Sequence, residues 1–373
     1  MPVVDQIAAL LDEMFARGIG SGAALSIGDS GREVERMVRG STRRLPTPGV
    51  PVDAQTWFDV ASLTKPMATV ASAMVLVGDR ALDLDAPIRR WLPAAASTGT
   101  VRHLLGHAAG CAAHVEFFKR LRVGTHEDPR AELVAMAATE PSTAPGVSAV
   151  YSDLGYIVLG AIVERAANAP LDVAFAELVA GPLGLGARYA GNDPRPIAGQ
   201  ERAPSPFLDS VVATEIDERT GVSAVVQGRV HDENAWYGGG VCGHAGLFAR
   251  LDDVATFAAA IVDTAAGVPR GRLRPEIVNE FLGTAAAPGS WRLGWDTPSA
   301  TPGVSHAGDR WSRVGAVGHL GFTGVSLWLD LPNRRWVTLL TNRVHPTRFG
   351  DSPEAIKQLR RRVNDFAVTM LGA

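Results

Sequence analysis

Strand-forming segments stand at both ends of this chain with a long stretch of helical character between them, and that separation constrains the fold more than any other feature. Near the N-terminus, Ala23 to Ile27 and Glu33 to Val38 read as strands flanking Asp29-Ser30-Gly31, whose residues supply the turn chemistry of a hairpin. Near the C-terminus, Val325, Leu327, Leu329 and Leu331 alternate with Ser326, Trp328 and Asp330, and a Pro332-Asn333 turn leads to the apolar run Trp336 to Leu340. A helix accompanies each hairpin. Ile7, Leu10, Leu11, Met14 and Phe15 recur at helical spacing up to Gly18, and Ser352-Pro353-Glu354 predicts an N-cap residue, a first-turn proline and an acidic residue before a helix running to about Leu371. From about Asp79 to Pro288 the chain is Ala-rich helix broken by Gly and Pro, with irregular connections such as Gly191 to Phe207. The expected architecture is therefore one discontinuous α/β domain, 1–80 with 289–373, and an inserted, mainly helical domain, 81–288. A cleft between two such domains is a favoured place for a ligand.

Length supports this division, because 373 residues exceed the roughly 150 of one typical domain. Thirty-six Lys and Arg against 39 Asp and Glu leave a net charge of −3, which is no footprint for nucleic acid or an anionic membrane. The two cysteines, Cys111 and Cys242, make no disulfide framework, and a single bridge between them stays open. Asp5, Asp12 and Glu13 interrupt any apolar run that would serve as a leader, and no uninterrupted stretch approaches the roughly 20 apolar residues of a membrane span. The expectation is a cytoplasmic protein.

Chemistry concentrates at Ser62-Leu63-Thr64-Lys65, which lies between an apparent strand, Thr56 to Val60, and the apolar stretch Met67 to Val77. Pro66 fits a helix only in its first turn, so Ser62 belongs at a helix start. One turn separates Ser62 from Lys65. That spacing sets an amine and a hydroxyl on one face, and the positive end of the helix favours an alkoxide or oxyanion beside the serine. A lone Ser-x-x-Lys also reads as a capping serine with a solvated lysine. Two further stations follow: Tyr151-Ser152-Asp153 after a Pro145-Gly146 turn, and His319-Leu320-Gly321 on the strand before the terminal hairpin.

In this order the three stations resemble the serine β-lactamase and penicillin-binding-protein superfamily, marked by Ser-x-x-Lys, Tyr-x-Asn and Lys-Thr-Gly. They are most similar to its class C-like branch of esterases and D-peptidases, where the third station is often His-x-Gly. Further matching segments are Val101 to His107, Val230 to Ala235, Gly243 to Phe248 and Leu340 to Pro346. The resemblance implies a β-lactamase-like α/β fold: a mainly antiparallel sheet flanked by N- and C-terminal helices, plus the helical insertion. It also implies roles. Ser62 would be the nucleophile of an acyl-enzyme, Lys65 and Tyr151 would share the proton, and the backbone N–H groups of Ser62 and Phe322 would form the oxyanion hole. Asp153, His319 and Gly321 would line the substrate. The mechanism needs no metal and no cofactor, and the expected partner is a small-molecule ester, amide or β-lactam-like substrate.

Two positions depart from the family pattern. Asp153 stands in place of Asn, and a carboxylate about 4 Å from Lys65 favours the ammonium by roughly 4 kcal/mol at an effective dielectric of 20. Tyr151 is then the proton acceptor, with the Lys65 cation lowering its pKa. His319 replaces a lysine with a group of reference pKa about 6.5, mostly uncharged at neutral pH. That tilts the expectation away from penicillins and D-alanyl peptides and toward esters or amides with no obligatory carboxylate. Acyl transfer to a small acceptor, D-alanyl peptidase or β-lactamase activity on the same residues, and a non-catalytic binding protein remain alternatives.

Other patterns have plainer readings beside sharper ones. His103, His107, Cys111 and His114 have zinc-ligand chemistry, but Ala108-Ala109-Gly110 would end a helix between them, and structural or cleft-lining histidines are the favoured reading. His231-Asp232-Glu233-Asn234 reads as a cleft loop, and Gly238 to Gly243 satisfies G-x-G-x-x-G without a βαβ setting, which favours close backbone packing. Neither G-x-S-x-G nor H-E-x-x-H occurs. Arg360-Arg361-Arg362 is expected on a solvated helix face. Trp291, Trp295, Trp311 and Trp328 either wall an acyl pocket or pack the core.

Overall fold

A computed structural model of the chain describes residues 2–123, 126–190, 210–217 and 224–372. The elements that position the site are α1 (Val3–Ala16), β1 (Gly22–Asp29), β2 (Arg32–Gly40), α2 (Ala61–Gly78), α3 (Asp153–Ala167), α4 (Leu251–Ala265), β3 (Ala316–Leu320), β4 (Ser326–Asp330), β5 (Arg335–Thr341) and α5 (Ser352–Met370). Both hairpins form where the sequence places them. At the tip of the first, Ser30 and Gly31 have φ of 51° and 78°, the left-handed pair that matches the twist of the flanking strands.

The two ends of the chain meet in one antiparallel sheet of order β2-β1-β5-β4-β3. The join is β1 against β5, with Ala23 opposite Thr341 and Gly28 opposite Trp336. Glycine is required at Gly28, because a Cβ there would lie 2.2 Å from the Trp336 ring. Alternation then divides the sheet between two cores. Ala23, Leu25, Ile27, Trp328, Val337 and Leu339 face α1 and α5, and Leu327, Leu329, Trp336 and Leu340 face a larger core that includes α2, α3 and α4. Burial of these side chains at about 25 cal/mol per Å² is the main force holding terminal and central segments together. Helix α4 lies within the 81–288 stretch yet packs against β1 and β5, so part of the sheet's cover comes from the centre of the chain.

Several local expectations change. Helix α1 ends at Ala16 and the chain turns at Gly18, φ 80°, as expected. Ser352 is the first helical residue of α5 rather than its N-cap, because its hydroxyl is engaged with Arg343: Oγ donates to Arg343 O at 3.0 Å and accepts from Nη1 at 3.1 Å. Of Thr56 to Val60 only Phe58–Asp59 pairs as a strand, against Leu247–Ala249. The apolar stretch after Ser62 is a buried helix, as expected: Ala61–Gly78 is long and apolar enough to cross a membrane by length and composition, but Lys65 interrupts it and 83% of it is buried inside the protein. The Gly191 to Phe207 connection lies outside the described residues.

Candidate active site

The nucleophile candidate is presented by an irregular helix start. Ala61 has φ 46°, its N–H donates to Asp59 Oδ1 at 2.8 Å, and a tight 3₁₀ turn carries Ala61 to Leu63. Helix α2 then widens to i→i+5 bonding over Lys65–Val70 before becoming regular. Pro66, lacking an N–H, sits at that transition, and such widenings are frequent at functional positions. Lys65 is fully buried beneath Ser62. Its Nζ donates to Ser62 Oγ at 3.0 Å, Tyr151 Oη at 2.7 Å, Asp153 Oδ1 at 2.8 Å and His244 O at 3.2 Å. Three protons thus serve four acceptors.

Tyr151 and Asp153 flank the N-cap of α3. Ser152 Oγ accepts from Gly155 N at 3.0 Å and donates to Ala112 O at 2.6 Å, while Ser152 N donates to His107 Nδ1 at 3.1 Å. With the residue between them pinned on both sides, the phenol and the carboxylate reach Lys65 together. His319 comes from the end of β3, buried, with Nδ1 donating to Leu320 O at 2.8 Å. Gly321 lets this strand abut the nucleophile turn, since a Cβ on it would lie 2.6 Å from Val60 O and 2.3 Å from Val325 Cγ2. Ser62, Tyr151, Asp153, His319, Gly321 and Phe322 all line one cavity of about 900 Å³.

Electrostatics separate the groups. Burial opposes the charge on Lys65, but Asp153, helped by Tyr151, outweighs it and holds the ammonium above the ordinary lysine value. Burial likewise opposes the Asp153 carboxylate, yet Lys65 and His114 keep it well below the usual carboxylate range. Tyr151 corrects an expectation. Lys65 does pull its pKa down, but burial is the larger effect and the phenol ends above its ordinary value, so it rests protonated. His319 is driven by burial, and by Lys65 beside it, down to about 3. It is neutral throughout the physiological range, not only in its upper part.

The sequence model of the family described as Beta-lactamase matches residues 7–360. The chain belongs to the β-lactamase family. Esterase EstB of Burkholderia gladioli is 30% identical, over 94% of each chain. An N-acetylmuramyl-L-alanine amidase of Bacillus subtilis (strain 168) is 27% identical over 90% of this chain and 80% of its own length. Among solved structures, EstCE1, described as a hydrolase with promiscuous acyltransferase activity, superposes with a TM-score of 0.70 at 21% identity over 96% of this chain and 98% of its own. A class C β-lactamase from Rhodobacter sphaeroides gives 0.67 at 16% identity, over 98% and 99%. The β-lactamase-like fold expected from the three stations is therefore the fold of this chain, and the chain is a hydrolase of that family.

This β-lactamase-family site also contains residues that sequence reasoning missed or misplaced. Arg360, expected on a solvated face, is 5% exposed and lines the cavity, whereas Arg361 pairs with Asp309 at 3.0 Å near the surface. A signal was available: Ile356, Arg360, Val363 and Ala367 share one helical stripe, and its other members are core. His114 Nδ1 lies 3.4 Å from Asp153 Oδ2, and His244 Nε2 contacts Asp232 Oδ1 at 2.9 Å. His244 falls in a family-like segment, but nothing in the segment foretold that its carbonyl would face Lys65.

The remaining patterns resolve individually. His103 Nδ1 accepts from Thr100 N, and His107 packs among Tyr151, Tyr156 and Trp291 with ring centroids 4.4 to 4.8 Å away. Cys111 and Cys242 are free thiols, pushed by burial up to about 11 and about 12. Trp291 walls the cavity against Tyr151 and His319, while Trp295, Trp311 and Trp328 are core. Within the glycine-rich loop, Gly243 packs on Gly160 of α3, where a Cβ would meet Tyr156 O at 2.1 Å. His231, Asp232 and Glu233 line the cavity, but only the first two precede a helix: Asp232 caps Glu233–Tyr237 through Ala235 N, and Asn234 is buried rather than part of a cleft loop.

Proposed function

We propose that this enzyme cleaves a small-molecule ester, or an amide of similar shape, through an acyl-enzyme on Ser62. The observation that carries the reading is the Lys65 ammonium, within 3.0 Å of Ser62 Oγ and 2.7 Å of Tyr151 Oη at the wall of the cavity. Ser62 Oγ attacks the carbonyl carbon and gives its proton to Tyr151 Oη. Because both Lys65 and Tyr151 rest protonated, the phenol acts as a relay: it receives the Ser62 proton as its own passes to the leaving oxygen or nitrogen. Lys65 keeps its charge and stabilises the phenolate character that develops on Tyr151 during the transfer. The Ser62 and Phe322 N–H groups hold the oxyanion. Water then attacks the acyl carbon and its proton passes through Tyr151 to Ser62 Oγ as that bond breaks, releasing the acid and restoring the serine.

An ester is preferred over an anionic peptide because the third station itself carries no charge: His319, its pKa pulled down to about 3, is a neutral imidazole at physiological pH. The 30% identity to an esterase over nearly all of both chains points the same way. The test is intact-mass analysis after exposure to a fluorophosphonate probe and, separately, to a penicillin, with Ser62→Ala as control. Wild type gains the probe mass and the variant does not; labelling of both would move the nucleophile elsewhere. Rates on short acyl nitrophenyl esters, a cephalosporin and a D-alanyl dipeptide then rank the substrates, with the esters expected first.

A further inference from the structure

Arg360 is a cation in a costly place. It lies in α5 among core residues, with no carboxylate at ion-pair distance among the described residues, and its Nε has no hydrogen-bond partner there. Burial, reinforced by the neighbouring Arg343 cation, pulls its pKa down to about 9, still cationic at neutral pH. A buried charge without a counter-ion is strongly unfavourable unless something else holds it. What holds this one is backbone: Nη2 donates to Gly321 O at 2.7 Å and to Val325 O at 2.6 Å.

Those two carbonyls bracket the turn that follows the third station. Gly321 N also donates to Val325 O at 2.8 Å and Gly324 N to Gly321 O at 3.1 Å, so the guanidinium grips both ends of a closed turn. The Gly321 carbonyl shares its peptide unit with the Phe322 N–H, and in a trans peptide the two point in opposite directions. A cation donating to the carbonyl therefore aims the N–H and draws electron density away from it, as hydrogen bonds in a chain polarise one another. Arg343 acts one peptide further on: its Nε donates to Phe322 O at 2.9 Å, again with no carboxylate in ion-pair reach among the described residues.

We propose that Arg360 is a positioning residue for the oxyanion hole: by binding the Gly321 and Val325 carbonyls from within α5, it fixes and polarises the peptide whose N–H receives the developing negative charge. This rests on the Ser62 reading above. It assigns the C-terminal helix a part in transition-state stabilisation and explains why a core stripe carries an unpaired arginine.

The experiment compares wild type with Arg360→Met, Arg360→Lys and the surface control Arg362→Met. Five quantities are measured: kcat and KM on a nitrophenyl ester, the inhibition constant of phenylboronic acid as a tetrahedral mimic, the rate of fluorophosphonate labelling at Ser62, and the unfolding temperature. Removing a direct oxyanion donor lowers kcat by about 100- to 1000-fold, so loss of an indirect support is expected to lower it by about 10- to 100-fold in Arg360→Met. KM should stay within about threefold while boronate affinity falls in step with kcat/KM, the signature of a transition-state effect. Arg360→Lys retains the charge but loses the fork, and recovers part of kcat. If Arg360→Met does not fold, Arg360→Lys decides alone: a kcat equal to wild type overturns the proposal. So does a loss that appears in KM and unfolding temperature but not in kcat or boronate affinity. Absence of Ser62 labelling in wild type defeats the underlying reading instead, whereas equal labelling rates in wild type and both Arg360 variants defeat only this inference.

Discussion

Replacing Asp153 with Asn keeps the shape of the side chain and an acceptor for Lys65 while deleting one charge. Lys65 Nζ and Asp153 Oδ1 are 2.8 Å apart, and at an effective dielectric of 20 unit charges at that distance attract by about 6 kcal/mol. Nothing else replaces that attraction, because the other acceptors around Nζ, namely Ser62 Oγ, Tyr151 Oη and His244 O, are uncharged. In the wild type the pair wins over burial and the ammonium sits above the ordinary lysine value. In Asp153→Asn only the weaker help of Tyr151 still opposes burial, and the lysine pKa moves down. The relay through Tyr151 needs Lys65 charged, so the variant should lose activity as pH rises, in a range where wild type does not. His114, raised by its bond to Asp153 and by Asp232 and Glu233, also loses a partner, so its own titration moves down. The assay is kcat/KM on a nitrophenyl ester between about pH 5 and pH 10. The expected result is a decline of at least about tenfold in the variant between about pH 6 and pH 9, one unit of lysine titration per factor of ten. Superimposable profiles would show that the two groups are uncoupled, and a variant faster than wild type at high pH would make neutral Lys65 the base; either result refutes the relay.

Gly321→Ala should lower kcat and unfolding temperature together, because its Cβ would fall 2.6 Å from Val60 O and 2.3 Å from a Val325 methyl. Overpacking of this kind destabilises by about 1–3 kcal/mol, and a variant with wild-type kcat would show that the third station need not touch the nucleophile turn. Behind the cavity-lining residues His231 and Arg348, burial opposes the Glu215 charge, but these two hold it down at about 2, with Arg348 N and Nε donating at 2.9 and 2.6 Å. A pKa depressed by folding adds stability that is complete above the ordinary value of 4.5 and drains away as pH falls toward 2. Glu215→Gln should therefore destabilise by about 3 kcal/mol at neutral pH and progressively less toward about pH 3, followed by thermal unfolding of both proteins; a difference that does not shrink on acidification would mean the loss is steric.

Much of this protein was legible before its structure because much of it is written in short-range pattern. Period-two alternation and the Ser30-Gly31 turn define the first hairpin, and apolar residues at helical spacing define α1. The same holds for the pairing of Ser62 with Lys65, which one helical turn brings together whatever surrounds them. Tyr151 and His319 were reachable through the ordered motifs, since residues so far apart in sequence carry no spacing signal of their own. What only the tertiary structure decided are sums over distant neighbours. Tyr151 rests protonated because the burial supplied by several segments exceeds the pull of one lysine, and His319 is uncharged for the same reason. Ser352 binds Arg343 instead of capping its helix. Arg360 leaves the arginine run for the interior because α5 presents that stripe to two backbone carbonyls in the turn between β3 and β4. Periodicity tells a residue which face it shares with its neighbours. Charge state and burial depend on what the folded chain brings against that face, and no local pattern contains that information.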